Sequence, residues 1–452
     1  MRAAMRRGTA RDLTQGALGK QILFFSIPLV LSNVLQVLFN MADVAVVGQF
    51  AGSIALGAVG STTILVALFT GLLIGLASGV NVLVALHLGA RNQKELAETV
   101  HTAVLICLLV GILLSVFGVG MARVILGLMH TKAELMEGAV LYLRIYLLGM
   151  PALAIYNFGS AVYSAVGDTR RPLRYLSAAG VVNVALNLFF VLGCGMDVAG
   201  VAVASILSQY LSAGLILAAL FRCGEDYGLR LSDLRLRKSK CKVILSIGIP
   251  SGLQHAIFSL ANLFIQTGVN SFDAVMVAGN SAAANADNLI YDVMAAIYTA
   301  CGSFIGQNYG AGRRERVRKS YFICLGYSFG IGLAMGLVLL AFGRQFLLLF
   351  TPDAAVIAAG MKRLRIMSVS YGFSAFMDCT IAASRGLGKS VVPMILVILG
   401  SCVFRIIWVY TVFAYFGTIA SLYLLYIFSW SITAVAEIAY FVHIYRRQVG
   451  TL

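Results

Sequence analysis

Apolar residues arrive in long runs, separated by short polar or basic turns. About 20 apolar residues in a row suffice to cross the hydrocarbon of a bilayer as a helix. Such runs lie near 21–47, 54–87, 96–120, 137–163, 173–193, 199–221, 243–269, 276–306, 320–342, 358–384, 392–414 and 418–444. The pattern predicts an all-α integral membrane protein of twelve transmembrane helices. Polar positions inside the runs are few and periodic. In the first span they are Asn33, Gln36, Asn40 and Asp43, at steps of three, four and three. In the seventh they are His255, Ser259, Asn262 and Gln266, at steps of four, three and four. Each set occupies one helical face. Lipid cannot satisfy such a face. Hydrogen bonding to neighbouring helices is one reading. The other is a wet, substrate-lining cavity between two lobes, to which Asn33, Gln36, Asn40, His255 and Asn262 would contribute.

The pattern also repeats. KQILFFSIP ends at Pro28 and KVILSIGIP at Pro250; LGARNQKE holds Gly89 and YGAGRRER holds Gly310. YLRIY holds Arg144 and RLRIM holds Arg365; GDTRRP ends at Pro172 and GKSVVP at Pro393. The offsets are 222, 221, 221 and 221. Shared membrane-helix composition explains matching Leu and Gly, but not an ordered series of Pro and Arg. Six spans per half mean that both halves cross in the same sense, as parallel six-helix repeats about an axis along the membrane normal. Substrate sites in such proteins lie near mid-depth.

Composition agrees. Of 452 residues, 60% are hydrophobic and 12% charged, and the mean hydropathy is +0.91. Soluble domains are about a quarter charged. The net charge of +16 does not point to nucleic acid, because the basic residues cluster in turns between apolar runs. Twenty-six of the 34 Lys and Arg fall on the side of the termini and four on the other. That excess places both termini and the basic loops in the cytoplasm of a multi-pass inner (plasma) membrane protein. The expected divisions are a basic cytoplasmic tail 1–20, an N-lobe 21–221, a cytoplasmic linker 222–242, a C-lobe 243–444 and a cytoplasmic tail 445–452. The basic start followed by an apolar run could be a signal peptide. The run is too long and lacks a small-residue cleavage site, so a retained first helix is expected. The eight cysteines form no CxxC pair, against a disulfide framework or zinc site.

Asp43 is the one formally charged residue between Gln21 and Ala90. A carboxylate in hydrocarbon is a functional-site candidate by default. The repeat places Ile265 opposite it, so the fold does not need an acid there. At about 1.5 Å per residue, a straight helix carries Asp43 into the outer half of the membrane, where it could also be solvated. Asn183 and Asn187 share a face of the fifth span, and Ser205 lies in the sixth. With Asp43 they would coordinate a small cation or hold a proton-linked network; interhelical bonding is the plainer reading. The second half carries Asp287, Asp292, Asp378 and Glu437, with Arg405 in mid-span. Asp292 and Asp378 are the expected partners of Arg405 in an ionisable network, a salt bridge being the simpler interpretation. Glu437 is expected to reach the cytoplasmic interface. Gly71, Gly75 and Gly79 recur every fourth residue, a spacing that lets helices approach closely.

Enzymatic signatures are missing. GALGK at 16–20 lacks the spacing and the Ser or Thr of a P-loop, and no HExxH or nucleophile elbow occurs. No soluble domain can hold a nucleotide, so no cofactor is expected and an ion gradient is the energy source. A receptor or scaffold would not need the repeat and the intramembrane acids.

The stretch LTQGALGKQILFFSIPLVLSNVLQVLFNMADVAVVGQFAG resembles the opening of multidrug and toxic compound extrusion (MATE) transporters. LGARNQKE, YGAGRRER, VGDTRRP and SRGLGKSVVP resemble their cytoplasmic turns. The resemblance spans nearly the whole chain, twice over. It implies a V-shaped pair of six-helix bundles in a bacterial membrane, working as a monomer. The implied function is export of organic cations and amphiphiles against H⁺ or Na⁺. It implies a cation site at Asp43, Asn183, Asn187 and Ser205, with the Val201 carbonyl; some archaeal and DinF-like members have aspartate at the Asn187 position. The NorM-like branch has a glutamate in the seventh span, whereas Gln254–Ser259 contains no acid. Asp378 falls near the NorM-like acid of the tenth span. The chain is thus closer to the DinF-like branch, with coupling through the first lobe. A flippase for a lipid-linked or amphiphilic substrate, from the same superfamily, is the alternative; its cavity would be more basic.

Overall fold

The computed structural model describes residues 12–450. Arg2, Arg6, Arg7 and Arg11 of the expected basic tail lie outside the described residues. Among the described residues every regular element is helical. In chain order they are α1 (Leu18–Val46), α2 (Gly52–Gly89), α3 (Gln93–Leu128), α4 (Ala133–Leu147), α5 (Met150–Ala165), α6 (Arg170–Leu188) and α7 (Val198–Phe221). There follow α8 (Lys238–Val269), α9 (Ala274–Gly310), α10 (Arg314–Leu348) and α11 (Ala354–Gly386). The last span but one is three short pieces, α12 (Val391–Val397), α13 (Phe404–Trp408) and α14 (Ala414–Phe416), and α15 (Ile419–Gln448) closes the chain.

Eleven helices are each long and apolar enough to cross a membrane, and the bent pair α4–α5 makes a twelfth. The fourth span, expected to be continuous over 137–163, is bent by 45° between Leu147 and Met150. Pro151 explains the break. Proline offers no backbone N–H and is best placed in a first helical turn, and the helix restarts with Pro151 in that position. The first helix begins at Leu18, inside the stretch expected to be tail.

Turns between spans reuse one geometry. Gly167 (φ +86°) and Gly388 (φ +78°) stand 221 residues apart, and Gly195 (φ +64°) and Gly417 (φ +60°) stand 222 apart. Glycine reaches positive φ without a Cβ clash, which lets the chain reverse at once.

By packing, the chain forms two compact units, one of Leu31–Gly252 and one of Leu13–Val30 with Leu253 onward. The division therefore does not fall in the loop Arg222–Lys242. The leading helix of each repeat changes unit two residues after its proline, Pro28 in α1 and Pro250 in α8. The physical reason is visible in α8. A Cβ on Gly75 would lie 2.1 Å from the Gly252 backbone N, and one on Gly79 would lie 2.6 Å from the Ile244 carbonyl O. Backbones this close gain dispersion contacts that hydrophobicity cannot supply between helices in lipid. Lys240 reinforces the same contact, pairing with Glu95 and lying 3.2 Å from His87 Nε2. In the second unit Leu13, Leu18, Ile22, Phe25 and Leu29 enter one core with Phe304 and Phe441. Asn308 Nδ2 donates to the Leu13 carbonyl at 3.2 Å.

Candidate cation site and the second-unit polar network

Three helices of the first unit bring oxygen atoms together. Asp43 lies near the end of α1, Asn183 and Asn187 lie one turn apart on α6, and Ser205 lies in the second turn of α7. Asp43 is 9% exposed and Asn187 fully buried. Asn187 Nδ2 donates to Asp43 Oδ1 at 2.5 Å and reaches Asn183 Oδ1 at 3.3 Å. Ser205 Oγ donates to Asp43 Oδ2 at 2.9 Å. Asn187 Oδ1 accepts nothing. Val47, Tyr142, Val191 and Val201 belong to one buried apolar cluster of the same unit. Tyr142 stacks on Tyr146, ring centroids 5.8 Å apart, and both lie within electrostatic reach of Asp43.

Among the described residues no cation pairs with Asp43. The cluster thus offers one carboxylate, two amide oxygens and a hydroxyl. A hard, all-oxygen donor set with a single charge suits a proton or a small monovalent cation better than a soft or divalent metal. α1 passes into a π-helical turn at Val47–Ala51 and α6 into another at Phe189–Gly193, just beyond Asp43 and Asn187. Such distortions recur at functional positions. Asn33 of the remaining first-span stripe is half-buried; Gln36 and Asn40 are exposed.

The second unit differs from the expected arrangement. Among the described residues no ion pair joins Arg405 to Asp292 or Asp378. Instead its Nε donates to Ser429 Oγ at 3.2 Å and its Nη1 to Asn262 Oδ1 at 3.1 Å. The buried ion pair is Arg363–Asp287, between α11 and α9. Tyr371 donates its hydroxyl to the other Asp287 oxygen. Arg363 Nη1 donates to Asn280 Oδ1 at 2.7 Å, and the Tyr423 hydroxyl donates to the same oxygen at 3.0 Å. Having taken Arg363, Asp287 is not left for Arg405. Sequence reading noted Asp287 but not its partner. A signal existed: Asn280 and Asp287 lie seven residues apart, on one helical face.

Glu437 does not reach an interface. It is fully buried and neither oxygen accepts a hydrogen bond. Its face of α15 is turned toward α11, within electrostatic reach of Arg385 and Asp378. Arg385, expected in a loop, lies in the last turn of α11 and donates to Gln254 Oε1 at 2.6 Å. A cavity of about 400 Å³ opens inside this unit, lined by His255 and Asn262 of the seventh-span stripe and by Asp378.

The MatE family profile matches residues 28–189 and matches again over 250–411. The chain belongs to the MatE family. The two MatE matches begin 222 residues apart, the offset of the proline landmarks, so the internal repeat is a duplication of one MatE unit. Named relatives share most of their length with it. The probable multidrug resistance protein YpnP of Bacillus subtilis (strain 168) is 30% identical over 365 residues, 80% of this chain and 81% of that protein. The probable multidrug resistance protein NorM of Thermotoga maritima is 26% identical over 391 residues, 83% of this chain and 82% of that one. A solved outward-facing structure of a multidrug resistance MATE family transporter of the MOP superfamily has a TM-score of 0.90. It is 23% identical and covers 98% of this chain and 99% of that chain, which establishes the MatE fold.

Proposed function

We propose that this MatE-family protein is a bacterial antiporter of the inner membrane that exports cationic and amphiphilic organic compounds in exchange for H⁺ or Na⁺. The single observation that carries the reading is Asp43: a buried carboxylate with no cationic partner among the described residues, held by neutral groups from α6 and α7. Such a carboxylate is costly as a bare charge and gains by binding a proton or Na⁺. Asn187 Oδ1, Asn183 Oδ1 and Ser205 Oγ would complete the shell of a bound cation. The relatives' names support multidrug cargo. The acid-free segment Gln254–Ser259 supports coupling through the first unit and a place nearer the DinF-like branch.

In the proposed cycle Asp43 takes an ion from outside, where the electrochemical gradient supplies it. Neutralising the carboxylate removes the reason for Asn187 and Ser205 to point at it. The helices holding them then repack, and cargo affinity falls. Release of the ion to the cytoplasm restores the charge and the affinity. Antiport requires only that ion and cargo each weaken the other's bound state. One charge moved through 100 mV supplies about 2.3 kcal/mol, roughly a fifty-fold cargo gradient.

The test is ethidium efflux from preloaded cells carrying wild type or Asp43→Asn at equal membrane levels, in low and high Na⁺. Wild type is expected to pump and the variant to fall to the empty-vector rate. A protonophore stopping efflux in low Na⁺ identifies H⁺ as the ion; Na⁺-dependent efflux that survives it identifies Na⁺. Efflux by Asp43→Asn at the wild-type rate would remove Asp43 from coupling. A wild type that moves no dye would turn attention to a lipid-linked cargo.

A further inference from the structure

Among the described residues neither Asp43 of the first unit nor Arg405 of the second belongs to an ion pair. Arg405 of the second unit lies mid-span on α13 and is 0% exposed. Both of its hydrogen-bond acceptors, Ser429 and Asn262, are neutral. Its Nη2 is buried and donates to nothing. An arginine in hydrocarbon almost always meets an anion, and leaving one uncompensated is costly. Among the described residues no acid forms an ion pair with Arg405. Asp287 belongs to Arg363 and Tyr371. Asp378 lies within electrostatic reach of both Arg405 and Arg385 and forms an ion pair with neither among the described residues.

What surrounds Arg405 is the wall of the cavity. The guanidinium lies 4.6 Å from the Phe258 ring centroid, 4.8 Å from Tyr426 and 5.8 Å from Trp430. Those three rings and Asn262 line the space of about 400 Å³, a volume suited to a small organic ligand. Arg363 lines it too, 5.3 Å from the centroid of the same Tyr426 ring. Aromatic faces with Met294, Met367 and Met377 make an adaptable wall for a flat apolar body. π-helical turns at Ile398–Val403 and Val409–Phe413 flank Arg405, distorting the one helix that carries it. Asn262 stands between the cavity and the guanidinium, its amide oxygen occupying the place of an anion. A carboxylate displacing that amide would gain a charge-assisted, two-pronged bond.

We propose that this cavity is an anion-accepting site, which takes the carboxylate of an aromatic amphiphile onto Arg405 in exchange for the Asn262 amide. Calling that ligand a cargo rests on the transport reading above; its binding does not.

The experiment uses the full chain in detergent with no gradient. The protein has two tryptophans, so Trp408→Phe leaves Trp430, on the cavity wall, as the sole reporter. Its quenching is titrated with pyrenebutyrate and with the matched cation pyrenebutylammonium. Pyrenebutyrate is expected to bind saturably and more tightly than the cation. Arg405→Gln should weaken it about tenfold or more. Asn262→Asp, which gives Arg405 an internal counter-ion and keeps it paired, should weaken it as much while leaving the cation bound as well or better. Asn262→Asp decides the matter if Arg405→Gln does not fold. Equal affinity for the two probes, or unchanged pyrenebutyrate affinity in Asn262→Asp, overturns the proposal. Either result leaves the ethidium test of Asp43 standing, since that assay reads efflux and a different residue.

Discussion

Each intramembrane charge in this protein has a different settlement. Asp43 has neutral donors only. Arg363 has a full partner in Asp287, a hydrogen bond to Asn280, and the Tyr423 ring at 5.1 Å. The Arg363 network has no counterpart in the first repeat, where the landmark offsets put Val66 or Leu65 against Asp287 and Val59 or Ala58 against Asn280. The helical frame therefore stands without it. Removing one partner of a buried pair strands the other charge, at about 3–5 kcal/mol. Arg363→Met is accordingly expected to lower the thermal midpoint of the detergent-solubilised protein sharply. Arg363→Met combined with Asp287→Leu should recover most of that loss, because desolvation of both charges is relieved together. A double variant no more stable than Arg363→Met would mean that Asp287 has other support than the arginine.

Among the helices, glycine placement decides which surfaces meet. Gly75, of the every-fourth-residue glycine series, and Gly60, outside it, both lie on α2. A Cβ at Gly75 runs into the Gly252 backbone, whereas one at Gly60 meets nothing within 4 Å. Gly75→Ala is expected to cost about 1–3 kcal/mol by forcing α2 and α8 apart. Gly60→Ala should be neutral or stabilising by up to about 1 kcal/mol, through helix propensity. Thermal midpoints of the two variants settle this; equal effects would show that α8 moves off α2 freely. The π turns act on the same scale. They change which side chains face inward, and they occur in α1, α6 and the α12–α14 span, the helices that carry Asp43, Asn187 and Arg405.

For the whole molecule, the open matter is which way it crosses the bilayer. Basic-residue bias predicts that both termini lie in the cytoplasm. Two natural cysteines can report on it. Cys194 is exposed in the turn between α6 and α7, and Cys223 is half-buried just beyond the other end of α7. In variants keeping one or the other, an impermeant maleimide applied to intact cells should label Cys194. Cys223 should react only after permeabilisation. The reverse pattern would put the termini outside and invert the direction assigned to transport.

How much of this was legible in the chain follows from the range of the forces involved. Span length, helical face and charge bias are local quantities, so twelve spans, the polar stripes and the repeat could be read directly. The bend at Gly149 was legible in principle, from Pro151, but a hydropathy window averages over one proline. The face shared by Asn183 and Asn187 was legible too. Their meeting with Asp43, 144 residues away from Asn187, stood in the sequence as one of two readings and as what the family resemblance implies, since it depends on how α1 and α6 are rotated about their axes. Charge matching failed for Arg405 for the same reason. Counting signs pairs it with the nearest acids, but helix rotation gives Asp287 to Arg363 and leaves Arg405 with amide and hydroxyl oxygens. The sequence by itself determined what kind of protein this is, because a bilayer allows a long apolar run little besides a helix. Only the tertiary structure decided which charges are paired and which are left waiting, because packing of small residues, not polarity, sets how helices turn toward one another in lipid.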